Sequence, residues 1–523
     1  MPNNILISNK RFECTRSFIP ICTVRDIDIN TQRRSHFIMG DPQESLRKRV
    51  LHGSLYLIIR QGIAIGIGLV GMLLITRLVG PGIYGLYSSA LSIFNYLILI
   101  GLMGTNIYLI RERHDAPAEL FHLAFWWLLF YGVTLMSCVW LISLLLLKLW
   151  KAYALLLLKL WKAYEDLLLA TAVMGTMLPF SLVAYVPAAL LERELDYRRT
   201  ALIEISTTLS FYIVAIALAW LKGSLWALVI GFLISQAIFC TGFFLTARYR
   251  PLWYWNAGQL RAMLGYSISQ AVSRWIYGVR ELALPLIVLP LAGKEATGYF
   301  AIVNRLLGIL SIVMTATQRI SVPTFARVQN DLTRLTRAVN QAMHLQTLAL
   351  GLSFVGFMMV APYALPILLG ERWHVPTFLT IFTVLAVRYL LAALFGIQGA
   401  ALYVKKENLT MLYANIAFAI SLILFAYGLM YILPTPYRLY GFLAAEFLAH
   451  LPNYYIVDCG FRRAIGNPIY SVVILWIIAF SSALLAPLVN GGLYLVAVLL
   501  LLLPPSSRGQ MIALYRELRT TRI

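Results

Sequence analysis

The chain is a succession of apolar blocks, each about 20 residues long and separated by short polar connections. A helix of that length crosses the hydrocarbon core of a bilayer, so the pattern predicts an all-α integral membrane protein with about fourteen transmembrane helices. No connection is long enough to hold a large soluble domain. The predicted spans are 54–79, 83–104, 120–147, 167–191, 201–221, 225–246, 264–291, 297–317, 341–362, 376–402, 409–432, 440–459, 469–488 and 491–505.

The turn between the first two spans recurs six spans later in the chain. The sequence LVGPGIYGLY at 78–87 matches LAGKEATGYF at 291–300, with a leucine and two glycines in register. Because an even number of spans separates the copies, both cross the membrane in the same direction. This arrangement predicts two parallel six-helix lobes followed by two C-terminal helices. The predicted divisions are a polar cytoplasmic tail (1–50), an N-lobe (51–250), a C-lobe (251–465), and two helices with a cytoplasmic tail (466–523). Residues 1–38 are expected to be either disordered or the product of a start set too early.

Composition and charge support a membrane protein. The chain is 60% hydrophobic and only 12% charged, about half the charged share of an ordinary soluble protein. Its net charge of +21 comes mainly from basic residues on alternate connections, which predicts that this side and both termini are cytoplasmic. The five cysteines have neither disulfide nor metal-site spacing, and we expect neither a metal nor another cofactor.

Several ionisable residues fall inside predicted spans, where a charge is costly and therefore marks a functional candidate. Arginines outnumber acids among them, which predicts a wet, positively charged cavity that accepts an anion. Phosphate is the natural match, because a guanidinium offers a fixed fork of donors to its oxygens. The residues inside the spans are Arg60, Glu204, Arg274, Arg280, Glu281, Arg305, Arg388, Glu446 and His450. We assign substrate binding to Arg60, Arg274, Arg305 and Arg388, ion coupling to Glu281, Glu446 and His450, and catalysis to none.

Each assignment has a structural alternative. Arg60 could instead extend towards the membrane surface. Arg274 and Glu281 share a helix face and could belong to a structural charge network. Arg305 either pairs with Glu281 or contacts the ligand, and Arg280 is expected to point away, near the outer end of its span. Glu446 and His450 could instead form a buried hydrogen bond between helices.

A tandem repeat, LLLLKLWKAYALLLLKLWKAY, occupies 144–164 on the predicted outer side. Its period of eleven residues is close to three helical turns, so the lysines form one stripe and the aromatic residues another. This pattern is typical of a helix that lies at a membrane surface. A tolerated tandem duplication is the simpler interpretation, and a basic collar for an acidic glycan is the alternative.

The sequence resembles the Wzx-like polysaccharide flippases, a branch of the multidrug/oligosaccharidyl-lipid/polysaccharide (MOP) exporter superfamily. The resemblance extends over about residues 45–460. The stretches that carry it are LVGPGIYGLYSSALSI, LLERELDYRRTALIEIS, WALVIGFLISQ, GYFAIVNRL, SVPTFARVQND and LLGERW.

The resemblance implies a monomeric bacterial inner-membrane protein of two six-helix lobes plus two helices. It implies that the protein flips polyprenyl-diphosphate-linked oligosaccharide units across the membrane by alternating access, for lipopolysaccharide or exopolysaccharide synthesis. A polysaccharide polymerase and a chain-length regulator are the partners expected from the same resemblance, and nucleic acid is not.

Other functions stay open at this point. A lipid II flippase and a small-solute exporter are alternatives within the same superfamily, although a cationic drug would be repelled by the arginines. A membrane polysaccharide polymerase or ligase is disfavoured because the outer connections are short. The adjacent Glu165 and Asp166 lack the separation of an acid/base pair. The Asp26-Ile27-Asp28 spacing resembles a sugar-nucleotide metal site, but no α/β domain surrounds it.

Overall fold

The computed structural model describes residues 42–111, 118–153, 158–194 and 196–489. Two units divide the chain, 1–52 and 53–523. In the first, the described residues 42–52 are helical. The predicted tail 1–38, its Asp26 and Asp28, and the predicted span 491–505 lie outside the described residues.

Every regular element in the described part of the chain is helical, which confirms the all-α prediction. The first seven helices are α1 (Pro42–Leu102), α2 (Thr105–Arg111), α3 (Ala118–Tyr153), α4 (Leu158–Gly175), α5 (Leu178–Arg193), α6 (Tyr197–Lys222) and α7 (Leu225–Ala247). The next eight are α8 (Ala257–Gly278), α9 (Leu289–Leu310), α10 (Ile312–Val328), α11 (Leu332–Leu369), α12 (Val375–Val404), α13 (Asn408–Ile432), α14 (Arg438–Ala464) and α15 (Ser471–Val489). The described part of the chain also contains two short 3₁₀ segments, Val279–Leu282 and Thr435–Tyr437, and one π-helical segment, Leu284–Val288.

Eight of the described helices are long and apolar enough to cross a membrane, and a bent pair, Tyr164–Gly175 with Leu178–Arg193, gives a ninth candidate. The chain is therefore a multi-pass membrane protein. Two of the eight helical stretches, Ile65–Leu102 and Ala271–Leu310, each contain a glycine with non-helical backbone angles. The total of about fourteen crossings stays a prediction.

Two glycines of the recurrent turn break their helices in the same way. Gly80 has φ 75° and ψ 174°, and Gly293 has φ 87° and ψ 172°. Positive φ angles of this kind are accessible mainly to glycine, because it has no Cβ. The predicted similarity of the two turns is therefore seen in the backbone as well as in the sequence.

The helical segments that follow these two turns pack against each other. A Cβ on Gly85 would lie 2.7 Å from the amide nitrogen of Gly298, and a Cβ on Gly298 would overlap the backbone of Pro81. The N-terminal half of the sequence (51–250) thus meets the C-terminal half (251–465) backbone to backbone. We refer to the end of the bundle that contains Gly80 and Gly293 as the glycine-turn end.

Hydrogen bonds from the loop after α11 join the two halves at the glycine-turn end. The Arg372 guanidinium donates to the Leu78 carbonyl at 2.5 Å, and the Trp373 indole donates to the Thr76 carbonyl at 2.9 Å. In the opposite direction, Arg77 donates to the Ile367 carbonyl at 2.9 Å. Trp373 is only 3% exposed, so its side chain is packed where the two halves meet at this end.

A 3₁₀ segment and a π-helical segment with a proline interrupt the α-helical conformation between α8 and α9. Val279–Leu282 is a 3₁₀ turn, and the π-helical turn that contains Pro285 follows almost at once. A proline cannot donate the hydrogen bond that an α-helix requires, so a break of this kind is expected there. Because 3₁₀ and π turns differ from 3.6 residues per turn, side chains in this segment face directions that a continuous helix would not give them.

The two copies of the tandem repeat belong to different helices. The first copy continues α3 to Tyr153, and α4 begins at Leu158 within the second copy. Residues 154–157 and the side chains of 149–163 lie outside the described part of the chain.

Candidate central cavities and their charge cluster

Two adjacent cavities lie among the helices that carry the predicted charges. The smaller cavity, about 340 Å³, lies between the two halves of the chain and is lined by α1 after Gly80, α9, α14 and the segment between α8 and α9. The larger cavity, about 720 Å³, is lined almost entirely by the C-terminal half, from α8, α10, α12, α13 and α14. Arg280 and Glu281 line both cavities, so the break between α8 and α9 forms their shared wall.

The smaller cavity has a lining rich in hydroxyl and amide groups. These groups are Tyr84, Ser88, Ser92, Asn95 and Asn304. They can donate and accept hydrogen bonds in several directions, which suits the hydroxyl groups of a sugar. The larger cavity combines amides with aromatic rings, from Asn415, Asn453, Tyr277, Tyr389, Phe418 and Tyr454.

One carboxylate and two guanidiniums form a buried cluster in the wall between the cavities. Glu446 Oε1 lies 3.4 Å from Arg280 Nε, and Glu446 Oε2 lies 3.3 Å from Arg388 Nε. The side chains of Arg280, Arg388 and Glu446 are 17%, 4% and 1% exposed. Two cations thus share one buried anion, and we call these three residues the charge cluster.

The geometry at His450 shows that its imidazole is neutral. Arg388 Nη1 lies 3.4 Å from His450 Nε2, and a guanidinium only donates, so Nε2 is the acceptor. His450 Nδ1 then carries the proton and donates to the Glu446 carbonyl at 2.6 Å. The imidazole adds no positive charge, so the charge cluster with His450 has a net charge of +1.

The charge cluster does not satisfy all of its own hydrogen-bonding groups. Arg388 Nη2 is buried without a hydrogen-bond partner, and Arg388 Nε and Glu446 Oε2 are close without the alignment of a hydrogen bond. Buried donors of this kind are costly when unpaired. Arg388 also lines the larger cavity, so an anion bound there could reach its free donor.

Arg305 connects the two halves of the chain through a tyrosine. Its Nη2 donates to the Tyr212 hydroxyl at 3.0 Å, and that hydroxyl donates to the Gly68 carbonyl at 3.0 Å. Arg305 lines the smaller cavity, so its guanidinium combines an interhelical contact with access to that space. The alternative of an ion pair between Arg305 and Glu281 is not found among the described residues.

Arg274 and Glu281 are exposed side chains that line the larger cavity. In the described part of the chain neither has an ion-pair partner within 4.0 Å. Nearby, Asn415 on α13 donates to the Ser273 hydroxyl at 3.0 Å, which fixes α13 against α8 beside Arg274. Both charged groups are therefore available to a ligand or an ion.

The structure brings most of the predicted site residues together. Six of the seven line at least one of the two cavities: Arg274, Glu281, Arg305, Arg388, Glu446 and His450. The side chain of the seventh, Arg60, lies outside the described part of the chain.

Sequence reasoning misplaced Arg280. We expected this arginine to point elsewhere than Glu281, near the outer end of its span, but it lines both cavities together with Glu281 and is a member of the charge cluster. The 3₁₀ and π turns explain the difference, because they alter the facing of residues around 280. The signal present in the sequence was Pro285, which foretold a break within the span. Among the described residues, no group of three or more potential ligands could hold a metal ion.

Comparison with known proteins agrees with this architecture. A model of the polysaccharide biosynthesis protein family matches residues 74–378. The succinoglycan biosynthesis transport protein ExoT of Rhizobium meliloti (strain 1021) is 23% identical over 310 residues, 59% of this chain and 60% of that protein. The lipopolysaccharide biosynthesis protein WzxC of Escherichia coli (strain K12) is 22% identical over 338 residues, 63% of this chain and 65% of that protein. The match thus spans less than two thirds of either relative.

Solved transporter structures have the same fold. The lipid II flippase MurJ in an inward closed conformation superposes with a TM-score of 0.60 at 13% identity, over 90% of this chain and 99% of that one. A MATE transporter in complex with MaD3S gives a TM-score of 0.51 at 15% identity, over 84% and 97% of the two chains. The chain belongs to the polysaccharide biosynthesis protein family and has the fold of MOP-superfamily transporters, which confirms its predicted resemblance to the Wzx-like polysaccharide flippases.

Proposed function

We propose that this protein flips polyprenyl-diphosphate-linked oligosaccharide units across the bacterial inner membrane by alternating access. The observation that carries the proposal is the charge cluster, in which Arg280 and Arg388 share the single carboxylate of Glu446 beside two polar cavities. A buried site with an excess positive charge and an unpaired guanidinium donor favours an anionic ligand. The relatives' names, a succinoglycan transport protein and a lipopolysaccharide biosynthesis protein, support a glycan as the cargo.

The two cavities suit the two polar parts of such a substrate. The diphosphate would bind Arg388 and Arg274 in the larger cavity, and Arg305 would serve sugars or phosphate in the smaller one. Hydroxyl and amide groups such as Ser88, Asn95 and Asn304 match sugar hydroxyls. The polyprenyl chain would stay in the bilayer, because moving it out of lipid has a large hydrophobic cost. Arg60, on α1, keeps its proposed role in phosphate binding.

The direction of access follows from the predicted orientation of the chain. The basic connections predict that both termini are cytoplasmic, and with that orientation the glycine-turn end faces outward. Contacts of Arg77, Arg372 and Trp373 join the two halves at this end, so we assign the conformation as closed to the outside. Transport then requires these contacts to part, with the halves 51–250 and 251–465 rocking as the two proposed lobes.

The proposed ion-coupling residues are Glu281, Glu446 and His450. Glu281 is the stronger candidate because it is exposed to both cavities without an ion pair among the described residues. Glu446 and His450 are engaged with arginines, so a cation would have to displace them first. The protein would act as a monomer. A polymerase and a chain-length regulator are its proposed partners downstream.

A leaflet assay tests the proposed function. The purified full chain is reconstituted in liposomes with a fluorescent polyprenyl-diphosphate oligosaccharide, and a membrane-impermeant reagent scores the exposed fraction over time. The proposal predicts rapid exchange with the protein and slow exchange in empty liposomes, with or without a proton or sodium gradient. A labelled phosphatidylcholine should not exchange faster, since it lacks the diphosphate. Equal rates for protein-containing and empty liposomes under every gradient would contradict the proposal.

The same assay separates the proposed cargo from its alternatives. Lipid II shares the diphosphate and the prenyl chain, so exchange of lipid II alone would assign the protein to peptidoglycan precursors. Elongation of the glycan during the assay would instead indicate a polymerase or ligase, because a transporter forms no new bond.

A further inference from the structure

We propose that Glu446 is an internal counter-anion, which occupies in the empty protein the place at Arg280 and Arg388 that the diphosphate of the cargo takes during transport. This inference rests on the proposed function and names the part of the site where its anionic group is exchanged. Glu446 is then a positioning residue that sets how tightly the diphosphate is held.

The geometry matches a temporary partner rather than a permanent structural pair. One carboxylate bridges two guanidiniums at 3.4 Å and 3.3 Å, with one oxygen directed to each. A diphosphate presents more oxygens and more negative charge at the same separation, so it can serve both arginines more fully. In the structure, Arg388 Nη2 and Glu446 Oε2 are buried without hydrogen bonds. A cluster selected only for stability would pair these groups, because each unpaired buried group is destabilising.

The net charge of the cluster also supports a temporary role for the Glu446 carboxylate. Arg280 and Arg388 contribute two positive charges, Glu446 one negative charge, and His450 none because Arg388 donates to its Nε2. The buried cluster therefore has a net positive charge without a ligand. Without the Glu446 carboxylate, two buried guanidiniums would have no counter-charge, which is strongly destabilising. The carboxylate neutralises one of the two charges, and the remaining positive charge still favours binding of an anion.

The smaller cavity offers a place for the Glu446 carboxylate after the diphosphate has displaced it. Glu446 lines the smaller cavity, where Ser88, Ser92, Asn95 and Asn304 supply hydroxyl and amide donors. The diphosphate would arrive from the larger cavity, which Arg388 lines and Glu446 does not. Arg280 lines both cavities and can contact either anion. Exchange of one anion for the other would thus occur across the wall that the charge cluster forms, and return of Glu446 would help to expel the diphosphate.

Binding of a soluble prenyl diphosphate tests the counter-anion. Calorimetric titration of the purified full chain with farnesyl diphosphate, and with farnesol as the uncharged probe, compares wild type with Glu446→Gln. Losing a competing charged hydrogen-bond acceptor should tighten farnesyl diphosphate binding by about tenfold or more. Farnesol affinity should not change. Glu119→Gln removes an exposed carboxylate that lines neither cavity, and it should bind farnesyl diphosphate like wild type.

Turnover gives a second readout that a merely structural carboxylate would not move in the same direction. With a saturating cargo, the leaflet exchange of Glu446→Gln should be slower than that of wild type although its affinity is higher, because the diphosphate is released more slowly. Equal or weaker farnesyl diphosphate binding by a folded Glu446→Gln variant would overturn the proposal.

A second variant decides the matter if Glu446→Gln does not fold. Glu446→Asp keeps the charge but shortens its reach, so it should bind farnesyl diphosphate more tightly than wild type and less tightly than a full removal would. Wild-type affinity in Glu446→Asp would overturn the counter-anion. If wild type flips the cargo and these variants bind no more tightly, only the counter-anion is wrong. If wild type neither binds farnesyl diphosphate nor flips the cargo, both the proposed function and the counter-anion are wrong.

Discussion

Gly85 and Gly298 pack against each other so closely that a Cβ on Gly85 would lie 2.7 Å from the amide nitrogen of Gly298. Each glycine follows a turn in which another glycine has a positive φ, and the two turns have similar sequences. The recurrent sequence therefore places two small residues where the halves of the chain meet. Any motion that separates these halves at the glycine-turn end must break this contact.

Replacing Gly298 by alanine should prevent the close approach at this end. The new methyl group would overlap the Pro81 backbone, which cannot rotate away as a side chain can. We expect slower leaflet exchange and a lower midpoint of thermal unfolding in detergent. Gly308→Ala is the matched control, since it lies in the same helix with no atom within 4 Å of the added Cβ. Identical behaviour of the two variants would show that the contact is unimportant.

Replacing Arg372 by alanine should favour opening of the glycine-turn end. This removes the hydrogen bond to the Leu78 carbonyl while the Arg77 and Trp373 bonds remain, so the effect should be partial. A cysteine placed at Ser88, in the smaller cavity, reports opening in a background without the native cysteines. An impermeant maleimide added outside should label it several times faster in Arg372→Ala than in the parent, and at the parental rate in the neighbouring Glu371→Ala. Unchanged labelling in Arg372→Ala would argue against a closing role.

Replacing Tyr212 by phenylalanine should weaken the connection between Arg305 and the N-terminal half. The variant loses the hydroxyl that accepts from Arg305 and donates to the Gly68 carbonyl. We expect a loss of about 1–3 kcal/mol in the free energy of unfolding, because the Arg305 guanidinium keeps its place without its partner. Tyr363→Phe, at a side chain that is 79% exposed, controls for loss of a tyrosine hydroxyl. Equal unfolding midpoints for the two variants would contradict the expected role.

Replacing Arg388 by methionine should separate stability from transport. The variant leaves Arg280 and Glu446 as a balanced pair, so its free energy of unfolding should stay within about 1 kcal/mol of wild type. Glu446→Leu leaves two buried guanidiniums without a counter-anion and should lose about 3–5 kcal/mol. Denaturation in mixed detergent micelles measures both. Transport should fall sharply in Arg388→Met despite its stability, and a variant that is stable and fully active would remove Arg388 from the site.

The fold was largely predictable because its determinants are local. Apolar blocks of membrane-spanning length and the repeated glycine turns at Gly80 and Gly293 can be recognised in the sequence alone. Charged residues within the spans indicated most of the charged side chains that line the two cavities, because a charge inside a membrane span is costly and therefore stands out in the sequence. The sequence did not indicate which of these charged side chains contact each other. The pairing of Arg280 with Glu446 depends on turns that rotate residues 279–288 and on the packing of α14 against them.

The division of polar groups between the cavities was also beyond the sequence. Arg305 was expected to meet either Glu281 or a ligand, but it donates to the hydroxyl of Tyr212, a residue on α6 whose side chain carries no charge to mark it in the sequence. The larger cavity is lined almost entirely by the C-terminal half, whereas the sequence predicted one positively charged cavity without assigning it to either half. Such features arise from helix packing over long sequence separations, which a pattern of apolar and polar positions does not specify.

The most direct test of the central claim, a cationic site that carries a lipid diphosphate, is leaflet exchange in arginine variants. Arg274→Ala and Arg388→Ala are compared with Arg334→Ala, an exposed arginine at the start of α11 that pairs with Asp331 and lines neither cavity. Exchange of fluorescent polyprenyl-diphosphate oligosaccharide should be at least about tenfold slower in the two cavity variants, because each loses a charge-assisted contact with phosphate. Arg334→Ala should match wild type. Wild-type exchange in both Arg274→Ala and Arg388→Ala would contradict the claim.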